Sequence, residues 1–206
     1  MHKEILSEKQ LELIPLVKRF IREYYLAGGT AIALHIGHRR SIDFDLFKYN
    51  MLKPKNIVTE ISSSPYSYQI TRRVTEQMNV TIHDVKFTFF QYPFKIDATC
   101  KFEEYLRLPE LIDLAAMKAY ALGRRSKWKD YVDLFFILKN YFSIEQISER
   151  ATLIYDQLFS EKLFRAQLSY FADIDHSEPI DYLIPAVPEN DIKKFLIDKA
   201  TDIDFF

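Results

Sequence analysis

The sequence predicts an α+β protein: a mixed α/β lobe over residues 1–105 followed by a helical lobe over residues 106–206. Three observations carry this reading. Short apolar runs bounded by turn residues alternate with helical stretches as far as about residue 100. Beyond Pro109 the apolar residues recur only at helical spacing. Between the first two strand-like runs lies Gly28-Gly29, in a chain with only 4 glycines among 206 residues.

The elements follow in order. Residues 7–22 place Leu11, Ile14, Leu16, Val17 and Phe20 on one side of a helix. Tyr24 to Ala27 is a short strand ending at the glycine pair, and Thr30 to Ile36 a helix with Gly37 as its stop. Ile42 to Phe47 forms the second strand, and Pro54 opens a helix that runs to about Ile61. Three strands are expected at Tyr68–Thr75, Asn79–His83 and Val85–Tyr92, the last two joined by a tight turn at His83-Asp84. In the second half, a helix begins near Pro109 and stops at Gly123, and Ser126 caps another over Lys127–Asn140. Ser143 caps a third, and two more occupy 160–172 and 189–200 around a proline-containing link at 179–188.

Composition narrows the class of function. The formal net charge is −1, which gives no global attraction to nucleic acid but leaves room for local patches. Cys100 is the sole cysteine, so a disulfide framework is excluded and a thiolate zinc site nearly so. No apolar run approaches the ~20 residues needed to span a bilayer, and Met1-His2-Lys3-Glu4 opens no signal peptide. A cytoplasmic protein with no membrane partner is expected. Aromatic residues reach 15%, which predicts a ring-rich core or binding surface.

Two features suggest chemistry. Asp43 and Asp45 stand at i and i+2, a spacing that in a strand directs both carboxylates to one face. Adjacent carboxylates repel, so a cation between them is the natural compensation. The glycine pair precedes a helix start, a seat for phosphate. Metal plus phosphate suggests nucleotide chemistry. Each feature also has a plainer reading: Asp43 and Asp45 as a solvated strand edge over buried Ile42, Phe44 and Leu46, and the glycines as a turn that needs positive φ.

The segment Leu26-Ala27-Gly28-Gly29-Thr30-Ala31-Ile32-Ala33-Leu34-His35, followed by Gly37-His38-Arg39-Arg40-Ser41-Ile42-Asp43-Phe44-Asp45-Leu46-Phe47, closely resembles the first motif of AbiEii/AbiGii-type nucleotidyltransferase toxins. Asp113-Leu114-Ala115-Ala116-Met117-Lys118-Ala119 and Lys129-Asp130-Tyr131-Val132-Asp133-Leu134 resemble its later motifs, in the same order. The family includes the MenT group and belongs to the DNA polymerase β-like nucleotidyltransferase superfamily. The resemblance therefore implies a polymerase β-like mixed sheet with flanking helices, followed by a C-terminal helical part. It implies transfer of NMP from an NTP substrate to an acceptor, tRNA or another nucleic acid or a protein, by a toxin of a toxin–antitoxin or phage-defence system with a cognate antitoxin.

The same resemblance implies the roles. Gly28, Gly29 and Thr30 would hold the triphosphate, Asp43 and Asp45 would bind Mg²⁺ or Mn²⁺, and Lys118 would meet the phosphates as a point charge. Asp130 would act as a base or orient Lys118, while Asp133 equally reads as an ordinary helix-terminal aspartate. Polymerase β-like enzymes usually bring a third carboxylate on a later strand, and Val85–Tyr92 carries none. Either Asp97 fills the role, or Asp130 does, or two carboxylates suffice. From the residues themselves, Arg124, Arg125, Lys127 and Lys129, with Arg39 and Arg40, read either as a track for an RNA backbone, with Trp128 stacking on a base, or equally as a solvated helix–helix loop. Two other readings stand beside the toxin: a nucleotide-binding regulatory module that has lost catalysis, and a small-molecule nucleotidyltransferase.

Overall fold

A computed structural model describes residues 1–122 and 124–202. The chain divides into two compact units, Met1–Glu110 and Leu111–Phe206.

The first unit is built on a five-stranded mixed sheet. Its strands are β1 (Tyr25–Ala27), β2 (Phe44–Lys48), β3 (Tyr68–Arg73), β4 (Gln77–Ile82) and β5 (Val85–Gln91). They lie in the order β1-β2-β5-β4-β3, antiparallel except for the parallel pair β2–β5. Three helices accompany them: α1 (Glu8–Lys18), α2 (Gly28–Ile36) and α3 (Pro54–Ser62). Ser7 caps α1 in a reciprocal capping box with Gln10. The helix ends at Lys18 and continues as turns, shorter than the apolar spacing suggests. His83 and Asp84 both have positive φ (49° and 64°), as a two-residue hairpin turn of the primed type requires.

One face of this sheet is the core. Phe44 and Leu46, Met78, Val80 and Ile82, and Phe87 and Phe89 are buried on it, as are Leu13, Leu16, Val17 and Phe20 of α1 and Ile57 and Ile61 of α3. Phe89 meets the Phe20 ring edge-on at 4.9 Å and the Tyr24 ring at 5.5 Å. The alternate residues Asp45, Phe47, Gln77, Asn79, Thr81, Thr88 and Phe90 are half-buried, so the opposite face is distinct in character. A small hairpin, β6 (Cys100–Phe102) and β7 (Leu106–Leu108), completes the unit. Three-residue strands carry too little alternation to be read from sequence.

The second unit contains α4 (Leu111–Leu122), α5 (Trp128–Asn140), α6 (Ile144–Tyr155), α7 (Glu161–Leu168) and α8 (Glu189–Thr201). Ser143 caps α6 with Gln146 in a capping box, as expected. Ser126 does not cap α5: Lys127 holds the cap position without a side-chain bond, and the Trp128 N–H donates to the Asp175 carbonyl instead (3.1 Å). The expected stop for α4, Gly123, lies outside the described residues. No helix among the described residues is long and apolar enough to cross a membrane.

Candidate functional site

The first cluster forms where β1 turns into α2 beside β2. Ala27 pairs with Asp45 across the β1–β2 ladder, so the helix start and the carboxylate are brought together by strand register. Gly28 has φ +68°, a conformation an L side chain adopts only at a cost. A Cβ on Gly28 would lie 2.2 Å from Asp45 Oδ2. On Gly29 it would lie 2.5 Å from Arg39 Nη2 and 3.6 Å from Ser41 Oγ. The two glycines thus have separate reasons. The first lets a carboxylate lie against the backbone at a helix start, and the second lets a guanidinium do so.

Ala27, at the N-cap of α2, makes no side-chain cap bond. The first backbone N–H groups of α2 have no partner within the helix and carry the positive end of its dipole. Arg39, 2% exposed, adds a fixed cation to this cluster and donates through Nη1 to the Arg40 carbonyl (3.0 Å). The Thr30 side chain is engaged within the protein. It is 1% exposed, and its hydroxyl donates to the Asp43 carbonyl (2.5 Å) and lies 2.7 Å from Ser41 Oγ. Thr30 therefore fixes the loop that presents Asp43. Ser41, which the sequence did not single out, is the second partner of the Thr30 hydroxyl, and only its place within the first motif could have marked it.

Asp43 and Asp45 are half-buried, Asp43 just before β2 and Asp45 within it. Phe44 and Leu46 are buried between and beyond them, whereas Ile42 is 60% exposed, so the plain strand-edge pattern is only partly realised. Asp45 is the sole carboxylate on strands β1 to β5. Thr88 stands opposite it on the parallel neighbour β5, where a third carboxylate would be looked for. Asp97 is exposed on the segment between β5 and β6, and Arg40 is exposed and donates to the Glu4 carbonyl (3.2 Å). Among the described residues, no three His, Cys, Asp or Glu side chains converge to hold a metal. Two carboxylates of hard oxygen donors, one seated where a Cβ would otherwise stand, suit a Mg²⁺ that completes its shell with water and substrate phosphate.

The second cluster lies in the helical unit. Lys118 on α4 is 4% exposed, with its ammonium 2.6 Å from Asp130 Oδ1 and 2.9 Å from Asp133 Oδ2, both on α5. Arg125 closes on Asp130 through Nε (2.9 Å) and Nη2 (3.3 Å). Asp130 and Asp133 share a helix face at i, i+3, which is why one lysine can meet both. The motif residue Asp113 is buried and receives Arg150 Nε of α6 at 2.5 Å, a tie between helices.

The proposed RNA-tracking cluster is not assembled as expected. Lys127 and Lys129 both bind Glu178, the latter at 2.8 Å, and these two bonds, Lys127 first, hold the Glu178 carboxyl down to about 2. The Arg124 guanidinium stacks on the Tyr120 ring at 3.5 Å. Trp128 is 7% exposed, between Tyr131 (6.1 Å) and His176 (5.4 Å), and belongs to the core. These cations are neutralised or stacked in place, and the indole is not presented to a base.

Comparison with known proteins agrees with this organisation. The chain is similar to MenT4, a nucleotidyltransferase toxin of Mycobacterium tuberculosis H37Rv (TM-score 0.60, 13% identity, 95% of this chain and 84% of that one). It is also similar to JHP933 from Helicobacter pylori (TM-score 0.55, 19% identity, 95% and 91%). At these identities the likeness concerns the fold. An uncharacterized protein of Aquifex aeolicus is 29% identical over 126 residues, 58% of this chain and 59% of that protein. The matched part thus spans less than two thirds of that relative's length. The model of the family described as nucleotidyl transferase AbiEii toxin, type IV toxin–antitoxin system, matches residues 18–205. The chain belongs to the AbiEii nucleotidyltransferase toxin family.

Proposed function

We propose that the protein is a divalent-metal-dependent nucleotidyltransferase that moves NMP from an NTP to a nucleic-acid acceptor, as a toxin restrained by a cognate antitoxin. The observation that carries this reading is the seating of Asp45 Oδ2 against Gly28 at the start of α2. A carboxylate next to a helix N-terminus and a buried arginine supports a reading in which metal and phosphate are bound side by side. When bound, Mg²⁺ would neutralise phosphate charge and aid in-line displacement. The chain's own part is to hold the Asp43 backbone through Thr30 and Asp45 through the β1–β2 register, to offer the α2 N–H groups to phosphate oxygens, and to add the fixed charge of Arg39.

Lys118 and Asp130 are proposed as members of the catalytic set on the resemblance of their motifs. An ammonium has three donors, and two carboxylates engage two of them, so Lys118 keeps one for a ligand. Gly28, Gly29 and Thr30 are proposed as the nucleotide loop, with Thr30 acting by position rather than by contact. The test is Asp45→Asn, which removes a ligand charge with little change in volume. With labelled NTPs, Mg²⁺ and total tRNA, transfer should fall at least about 100-fold while the thermal midpoint stays near the parent's. Transfer at the parental rate would end the metal role of Asp45.

A further inference from the structure

The half-buried face of the five-stranded sheet carries a row of side chains set by register: Asp45 on β2, Thr88 on β5, Asn79 on β4 and Arg72 on β3. Three interstrand steps of about 4.8 Å place Arg72 about 14 Å from Asp45. On one side of the row, Phe47 and Phe90 present half-exposed rings 5.1 Å apart. Lys86 is exposed on β5, two residues from Thr88. Gln77 donates to Asn79 Oδ1 at 2.8 Å, which fixes the orientation of both amides. All six residues of the edge strand β3 are exposed, and a bulge between Ile70 and Arg72 turns it there.

The charge on this face is one-sided. Arg72, Arg73 and Lys86 form no ion pair with any described residue, and Asp45 is the sole carboxylate of the strands. In the helical unit, by contrast, Lys127, Lys129 and Arg125 are each matched to a carboxylate. Exposed cations, half-exposed rings and neutral amides together match a single nucleic-acid strand. Its phosphates meet arginine or lysine, its bases have faces to stack, and its edges accept and donate hydrogen bonds.

Resting on the nucleotidyltransferase reading above, we propose that this face is the acceptor track. A single-stranded RNA end lies across β5, β4 and β3, its phosphates on Lys86 and Arg72 and a base on Phe90, with its terminal hydroxyl directed to Asp45. The sheet register, which puts the track and the carboxylate in one row, then sets where the terminus stops.

The test uses the full chain, a fluorescein-labelled single-stranded RNA oligonucleotide for anisotropy, and ATP with Mg²⁺ for calorimetry. Arg72→Ala/Lys86→Ala should weaken RNA binding about tenfold and lower the slope of log affinity against log salt by about 1 to 2. Phe90→Leu, which keeps an apolar side chain, should weaken RNA binding about fivefold or more. ATP affinity should be unchanged in both. RNA affinity and salt slope at the parental values in the double variant would overturn the track. So would an equal loss in Lys162→Ala/Lys194→Ala, which removes exposed cations of the helical unit. A parent that binds ATP but no RNA would overturn the track alone. A parent that binds no ATP would remove the nucleotidyltransferase reading beneath it.

Discussion

Gly28→Ala probes the site at its tightest point. The backbone there has φ +68°, and holding alanine in that region costs about 1–2 kcal/mol. The new Cβ would start 2.2 Å from Asp45 Oδ2, so the carboxylate must retreat by more than an ångström to reach ordinary contact. A displacement of about 1 Å in a reacting constellation costs on the order of 100-fold in rate. The expected result is a stability loss of about 1–2 kcal/mol in denaturant unfolding and a transfer rate lower by about 100-fold. Gly37→Ala supplies the control. Gly37 has the same φ of +68°, and its added Cβ would meet the ring of half-exposed His2 at 2.5 Å. It should lose comparable stability and keep transfer within a few-fold. If both variants lose activity equally, backbone strain and not carboxylate displacement is the cause. If Gly28→Ala keeps parental transfer, Asp45 does not act from its seat against Gly28.

Two further outcomes follow from the helical unit. Lys118→Met leaves Asp130 and Asp133 buried without the ammonium between them, and should destabilise that unit by about 3–5 kcal/mol, read from the urea midpoint. Lys118→Met together with Asp130→Asn and Asp133→Asn should recover part of that loss but no transfer, which separates the structural from the catalytic role. Glu178 has a folded-state pKa lowered from 4.5 to about 2, so its contribution is present above about pH 4.5 and lost as pH falls toward 2. Because its side chain is 38% exposed, screening limits this to about 1 kcal/mol. Glu178→Gln should flatten the acid limb of a stability–pH curve by that amount, and an unchanged limb would show that the pair with Lys127 and Lys129 contributes nothing.

The fold was legible where local chemistry decides it. Gly37 does stop α2 in the left-handed conformation, His83-Asp84 does close β4–β5, and the capping pair Ser143/Gln146 does open α6. It was not legible where a distant segment intervenes. The start of α5 is bonded by Asp175, 47 positions after Trp128, so no cap at Ser126 was needed. The site divides the same way. Gly28, Gly29 and Asp45 stand together as their spacing suggested, because the β1–β2 register closes the loop between them. What spacing could not show is that Arg39 is buried against Gly29, that Thr30 serves Asp43, and that Trp128 lies within the core. Each depends on which side of the chain is covered, and that is a tertiary property.

Whether the proposed Asp43/Asp45 site transfers a nucleotide or a terminal phosphate is decided by the position of the label. Purified protein is incubated with Mg²⁺, total tRNA and each NTP in turn, labelled at either the α- or the γ-phosphate. The α-label is expected to enter the acceptor for at least one NTP, and the γ-label to be released as pyrophosphate. Incorporation of γ-label, or no incorporation of α-label from any of the four NTPs, would contradict nucleotide transfer.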